Sequence, residues 1–345
     1  MRKLLLALGL ALGLCLPASA VVQYTIVGDA AYTILNTDTN IRTSTAFTAG
    51  RTWTLPYAGG TCIGQTCAAN ALTIVDTAGA YSQAFQLTLA PQSGETINGN
   101  AANLIISGAG ARVVAYPSSP SNWQVFIEGD YQTTGLCPGS ATTATVTITI
   151  AAPGVITWTA HGITGVCPVV FTTSSSLPTG ITAGTVYYTV PSSITTNTFQ
   201  IATTVANALA GTSITTTGSQ AGTQTGTAGA ALATTTAADI TGLSLSQGLW
   251  ECRAKTSRTL GASTSVTKLT SYISGTSATA ATQGTTGQTD LQTAANVMGA
   301  LGQDQAIGPD RVSLTSTTNR FMGVQDTFTV STNVAFGTMT CDRVR

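Results

Sequence analysis

The chain offers few residues that could do chemistry: one histidine, His161, and only three glutamates, Glu95, Glu128 and Glu251. A Ser–His–Asp site would have to use His161, and no G-x-S-x-G turn is present to offer it a serine. His161 instead precedes Gly162 between two strand-like runs, the setting of a turn histidine that hydrogen-bonds its own loop. Glycoside cleavage needs two carboxyl groups about 5–10 Å apart across the scissile bond. Asp76, Glu95, Glu128 and Asp130 share one stretch, yet Gly129-Asp130 and the surroundings of Glu95 read as ordinary turns. No long parallel-coil repeat accompanies them. P-loop, dinucleotide, zinc-helix and EF-hand patterns are absent. The residue types therefore predict no catalytic site, no cofactor and no metal, with a polysaccharide hydrolase as the least favoured of three readings.

Cysteine is the residue type with a pattern. The first twenty residues carry Arg2 and Lys3, an apolar run from Leu4 to Leu14, and the small residues Ala18-Ser19-Ala20. That is the layout of a secretory signal cleaved after Ala20, and its apolar run is too short to span a bilayer. Six cysteines then remain: Cys62, Cys67, Cys137, Cys167, Cys252 and Cys341. An even number behind an export signal predicts disulfides. Fifteen pairings are open to six cysteines, and position favours Cys62 with Cys67 across a hairpin, Cys137 with Cys167, and Cys252 with Cys341. Zinc is the weaker reading, because there is no CxxC and a single histidine.

The elements that position these residues read as strands. Charged residues make up 8% of the chain, well under the ~25% of ordinary domains. Thr, Val, Gly and Ala dominate, and β-branched side chains suit a pleated surface. Without residues 1–20 the chain has 11 basic and 13 acidic residues, a net charge of −2. That gives no electrostatic case for nucleic acid. The predicted fold is all-β, with successive antiparallel β-sandwich or jelly-roll-like modules joined by a Thr/Ala/Gly-rich linker. An N-terminal β domain spans 21–133, a middle β module 134–221, a flexible linker 222–239 and a C-terminal β-sandwich 240–345. Thr145-Val146-Thr147-Ile148-Thr149-Ile150 alternates as a half-buried strand should. One short helix or compact loop is expected where Leu291, Ala294, Ala295 and Met298 recur at helical spacing.

Two parts of the chain resemble bacteriophage tail-fibre and related virion structural proteins. The middle part carries His161-Gly162, Val169-Val170-Phe171, Leu177-Pro178-Thr179-Gly180, Ala183-Gly184-Thr185, Tyr187-Tyr188 and Asn197-Thr198-Phe199-Gln200. This order is similar to a small β-module of phage tail proteins. The C-terminal part is similar to the end domain of phage fibres through Leu243 to Leu245, Gly248 with Trp250, Ile273-Ser274, Gly308-Pro309 with Arg311, and Phe328 followed by Gly337. More loosely, Arg51 to Pro56 and Gly94 to Gly99 resemble fibre sequences as well. The resemblance implies a structural role in trimeric or fibrous projections that contact a host surface. The export signal and the cysteines depart from that family, whose fibres are made in the cytoplasm.

The expected function is accordingly a non-enzymatic, exported phage-fibre-like structural or adhesion protein that contacts a cell surface, host receptor or glycan. It would be a homo-oligomer, trimeric or fibrous, secreted or at the cell surface, with no membrane span. The alternative is a self-assembling extracellular fibre subunit without a dedicated ligand. Trp53, Trp123 and Trp158 are the aromatic candidates for a surface that binds sugar, although a strand tryptophan is more often core. Arg343 and Arg345 are expected as a solvated strand end.

Overall fold

Period-two alternation fixes which face of a strand is buried, and it leaves the direction of the neighbouring strand open. The computed structural model of the protein shows both halves of that rule. It describes residues 24–344 apart from 64–65, 68–70, 83–84, 139–141, 281–287, 298–301 and 330. The expected signal peptide lies outside the described residues, as does Arg345.

The N-terminal part contains β1 (Thr25–Val27), β2 (Tyr32–Thr33), β3 (Asn40–Thr43), β4 (Arg51–Thr54), β5 (Cys62–Ile63), β6 (Thr66–Cys67) and β7 (Leu72–Val75). There follow β8 (Leu87–Ala90), β9 (Thr96–Ile97), β10 (Leu104–Ile106), β11 (Arg112–Ser119), β12 (Asn122–Glu128) and β13 (Tyr131–Thr133). One sheet has the order β1-β3-β7-β11-β12-β9 and the other β10-β8-β4-β2. From β1 to β4, and again from β7 to β8, successive strands alternate between the sheets. The ladders β1–β3–β7 and β2–β4–β8 are parallel. Here the all-β expectation holds, while the antiparallel one applies to β7–β11–β12, β8–β10 and the small β5–β6 pair. The chain coils around its core through these short strands, because a hairpin would need consecutive strands to be neighbours in one sheet.

The middle part contains β14 (Thr143–Ile148), β15 (Ile156–Thr157), β16 (Pro168–Thr173), β17 (Val186–Thr189), β18 (Thr198–Phe199), β19 (Ile201–Ala202), the short helix α1 (Val205–Leu209) and β20 (Gln224–Ala228). Its sheet runs β18-β15-β14-β20-β16-β17-β19. The first and last strands are separated in sequence only by Gln200, so one kinked segment nearly closes the sheet into a barrel. Val146 and Ile148 point inward and Thr145 and Thr147 outward, as the alternation requires. The helix begins at Thr204, whose Oγ1 accepts the Asn207 N–H at 3.1 Å, an ordinary N-cap.

The stretch expected as a flexible linker, 222–239, is folded instead. It supplies β20 at the centre of the barrel sheet, then β21 (Ala230–Ala231) and the start of β22 (Ala238–Leu245). Small residues are required at this place. A Cβ on Gly226 would stand 2.9 Å from the Trp158 ring and 3.1 Å from Val146 Cγ1. Gly226 therefore marks the close approach of a tryptophan to a strand.

The C-terminal part adds β23 (Gly248–Leu260), β24 (Ser265–Ser274), β25 (Gln288–Val297), β26 (Gly302–Leu314), β27 (Thr318–Val324), β28 (Thr327–Thr329) and β29 (Asn333–Arg343). Two sheets, β13-β29-β23-β26 and β22-β27-β24-β25, carry β21 and β28 as side branches. A common core includes Ile240, Leu245, Trp250, Ile273, Met322, Val324 and Met339. Leu291, Ala294 and Ala295, expected in a helix or loop, lie in β25, paired antiparallel with β24. A ladder of seven residue pairs outweighs a weak helical spacing. Met298 lies outside the described residues. Arg258 and Asp326, both fully buried, form a bidentate pair at 3.0 Å.

The modules share strands. β13 and β21 both pair with β29, so segments from before and after the barrel complete the C-terminal sheet.

Candidate functional site

The three tryptophans offered as surface aromatics are core residues. Trp53, Trp123 and Trp158 are 0%, 1% and 2% exposed, which corrects that expectation. Trp53 donates its Nε1–H to the Ala30 carbonyl at 3.0 Å and Trp123 to that of Pro56 at 3.1 Å. A ring on the inward face with its one donor satisfied by backbone is a packing element.

The cysteines separate into two groups. Cys137–Cys167 and Cys252–Cys341 are disulfides, with Cα atoms 5.2 and 4.0 Å apart. Cys252 and Cys341 stand directly opposite each other on β23 and β29. The backbone also places Cys62 opposite Cys67, while their side chains lie outside the described residues. Disulfides persist in oxidising compartments, which fits a protein outside the cytoplasm. Among the described residues no helix is long and apolar enough to cross a membrane.

The carboxylates of the N-terminal part are engaged one by one. Asp76 accepts from Thr43 Oγ1 and from the N–H groups of Ala80, Tyr81 and Gly110. Glu95 accepts the Ala58 N–H at 2.8 Å, and Glu128 pairs with Arg112 on the surface at 3.1 Å. Asp130 accepts from the Ser107 and Gly108 N–H groups and from Arg343. His161 is buried, its ring edge-on to Phe199 at 5.1 Å. Its Nδ1 accepts the Ile163 N–H at 3.0 Å, and burial holds the ring below the ordinary imidazole value against the opposing pull of the Thr195 and Thr198 backbone. Among the described residues no three His, Cys, Asp or Glu side chains converge to hold a metal.

Arg343 is the opposite of a solvated strand end: its side chain is 1% exposed. It donates Nε–H to Asp130 at 2.8 Å, Nη1–H to the Gln247 carbonyl, and Nη2–H to the Ile105 carbonyl and Ser246 Oγ at 2.9 and 2.6 Å. The guanidinium also lies 4.4 Å from the Trp250 ring centre. Burial lowers its pKa, and Asp130 opposes that shift. This cluster fastens the N-terminal sheets to the C-terminal sandwich.

Beside that fastening lies a groove of about 540 Å³ between the β12 edge and the start of β23 and end of β26. Its walls include Phe126, Gln124, Leu249, Ser313, Leu314 and Thr315. Phe126 is 40% exposed and stacks on Tyr116 of β11, ring centres 5.8 Å apart and planes 22° from parallel. Tyr116 thus covers one face of the ring, and Phe126 is among the residues that line the groove. The Val125 N–H and C=O point away from β11, to Asn98. By the strand's period, those of Ile127 point the same way, into the groove. The sequence carried a signal for this site: in Trp123-Gln-Val-Phe-Ile127 the alternation that buries Trp123, Val125 and Ile127 must expose Phe126. The other wall, formed by Leu249 and by Ser313 to Thr315 far later in the chain, had no local signal.

Fold and covalent links thus define an all-β, disulfide-bonded protein with an aromatic groove between two of its parts. No protein-family model and no curated protein sequence matches the chain. Among solved structures, one described as the structure of infectious bursal disease virus Gx strain aligns with 68% of this chain and 64% of that chain, at 9% sequence identity and a TM-score of 0.22. At that score the likeness carries no structural argument.

Proposed function

We propose that this is an exported, non-enzymatic adhesion protein of phage-fibre-like type that holds a surface glycan in the groove between its N-terminal sheets and C-terminal sandwich. The observation that carries the proposal is Phe126: a large ring 40% exposed on an outward strand position, stacked on Tyr116 and lining the groove. An aromatic face suits the apolar C–H face of a sugar ring, and amide and hydroxyl groups around it suit the sugar hydroxyls. The groove volume lies within the range of ordinary small-ligand sites. Its two walls belong to parts locked together by Asp130 and Arg343, so the site is pre-formed and loses little ordering entropy on binding.

A glycan array probed with the mature chain tests the reading, followed by the Phe126→Ala variant on any sugar retained. Loss of the signal in the variant is the expected result. A variant that binds as the wild type does would remove the groove from the function. Oligomerisation into a trimer or fibre is part of the same proposal, since several weak sites on one body bind more tightly than one. A light-scattering mass equal to a single chain would retire that part.

A further inference from the structure

We infer that the groove selects uncharged sugars and excludes acidic ones, and that Tyr116 is the residue that positions Phe126 for this. The inference rests on the glycan reading above and narrows it. Its basis is the state of each polar group in the walls.

Among the described residues the one cation lining the groove is Arg343, and all of its donor nitrogens are engaged inside the protein, by Asp130, Gln247, Ile105 and Ser246. Three amides are engaged as well. Asn98 bonds both the N–H and the C=O of Val125. Asn100 donates to the Thr315 carbonyl and accepts from the Ala102 N–H, and Gln247 donates to the Ala102 and Asn103 carbonyls. Charges on the strands that flank the groove are paired with each other: Arg112 with Glu128 across β11 and β12 at 3.1 Å, and Arg311 with Glu251 across β26 and β23 at 2.7 Å. Among the described residues, the groups that remain toward the ligand are neutral and include the Phe126 ring, the Ile127 backbone, the Gln124 amide, which has no partner among the described residues, and the hydroxyls of Ser313 and Thr315.

A carboxylate or sulfate entering this groove would lose water and meet, among the described residues, no cation with a free donor, an uncompensated cost. Sugar hydroxyls both donate and accept, and they can satisfy an amide and two hydroxyls without charge. Tyr116 enters because its ring supports one face of Phe126. Without it the phenylalanine can fall toward β11 and uncover the groove.

The experiment measures binding of two oligosaccharides of similar length, neutral chitotriose and acidic trigalacturonate, to the mature chain by calorimetry. The neutral sugar is expected to bind, with a Kd that changes less than about twofold between low and high salt, because no ion pair is available to screen. Phe126→Ala and Gln124→Ala should each weaken it, the first by at least about tenfold, in line with loss of a stacking anchor. Tyr116→Ala should weaken it too, and Tyr116→Phe, which keeps the stacked ring, should restore it. Preference for trigalacturonate with an affinity that falls as salt rises overturns this inference and leaves the glycan reading standing. If neither these two sugars nor any on the array binds, the glycan reading itself fails. Equal binding by Tyr116→Ala and wild type removes the positioning role alone.

Discussion

The junction of Asp130 and Arg343 gives the sharpest test of how this chain is held together. Arg343→Met keeps much of the side-chain volume and removes the charge. Asp130 is then left as a buried carboxylate whose only remaining partners are the Ser107 and Gly108 N–H groups. The Gln247 and Ile105 carbonyls and Ser246 Oγ lose a donor at the same time. Breaking a buried ion pair from one side costs about 3–5 kcal/mol, against a total stability of about 5–15 kcal/mol for a typical domain. The exposed pair Arg112–Glu128, with side chains 49% and 68% accessible, is an internal control worth about 1 kcal/mol or less. Hydrogen exchange read by mass spectrometry reports the loss locally. If β13 and β29 open together, about 3 kcal/mol translates into roughly hundredfold faster exchange of their amides. The barrel amides of β14, β16 and β20 should change far less. The double variant Asp130→Asn/Arg343→Met should recover much of the loss, because no buried charge is left unpaired. Exchange at β13 and β29 within about threefold of wild type in Arg343→Met would refute the reasoning.

Three further outcomes follow from the same structure. Gly226→Ala pushes a methyl group to 2.9 Å from the Trp158 ring, so a loss of about 1–3 kcal/mol is expected in urea titrations; an unchanged midpoint would mean that 222–239 is a linker after all. The disulfide Cys252–Cys341 closes 89 residues and Cys137–Cys167 closes 30, so chain entropy predicts losses of about 4.6 and 3.6 kcal/mol for the paired Cys→Ala variants. Urea midpoints falling in the reverse order would contradict that account. His161 has a pKa lowered by burial, so its unfolded state takes up a proton first as pH falls. Its contribution is complete above about pH 6.5, declines as pH drops from there toward the lowered folded value, and is flat below that. A Tm series from pH 7.5 to 5 on wild type and His161→Asn checks this, and equal slopes in the two proteins would exclude histidine as the source.

Much of the fold was legible in residues taken a few at a time. Thr145 to Ile148 declared a half-buried strand, and the all-β class followed from many such stretches. The cysteines near the two ends of the last segment announced neighbouring strands, because a disulfide needs its Cα atoms within about 7 Å, and Cys252 does face Cys341. Strand direction was not legible, since alternation is the same in parallel and antiparallel ladders, and β1–β3–β7 and β2–β4–β8 proved parallel. The 222–239 stretch misled for a related reason. A strand that must pass under Trp158 needs glycine at 226, and glycine is also a residue of linkers.

By itself, then, the sequence determined the strand-rich class and the inward and outward residues of Thr145–Ile148, and the alternation from Trp123 to Ile127 also encodes a buried Trp123 and an exposed Phe126. These depend on side chains a few positions apart, where backbone geometry dictates the outcome. Only the tertiary structure decided that Trp53 and Trp158 are core, that Arg343 is a buried fastener, and that Phe126 lines a groove with Ser313 and Leu314. Those outcomes depend on which distant segments share a sheet. Such sharing is chosen by the burial of whole faces and the pairing of backbone groups across the molecule, and no short window of residues records it.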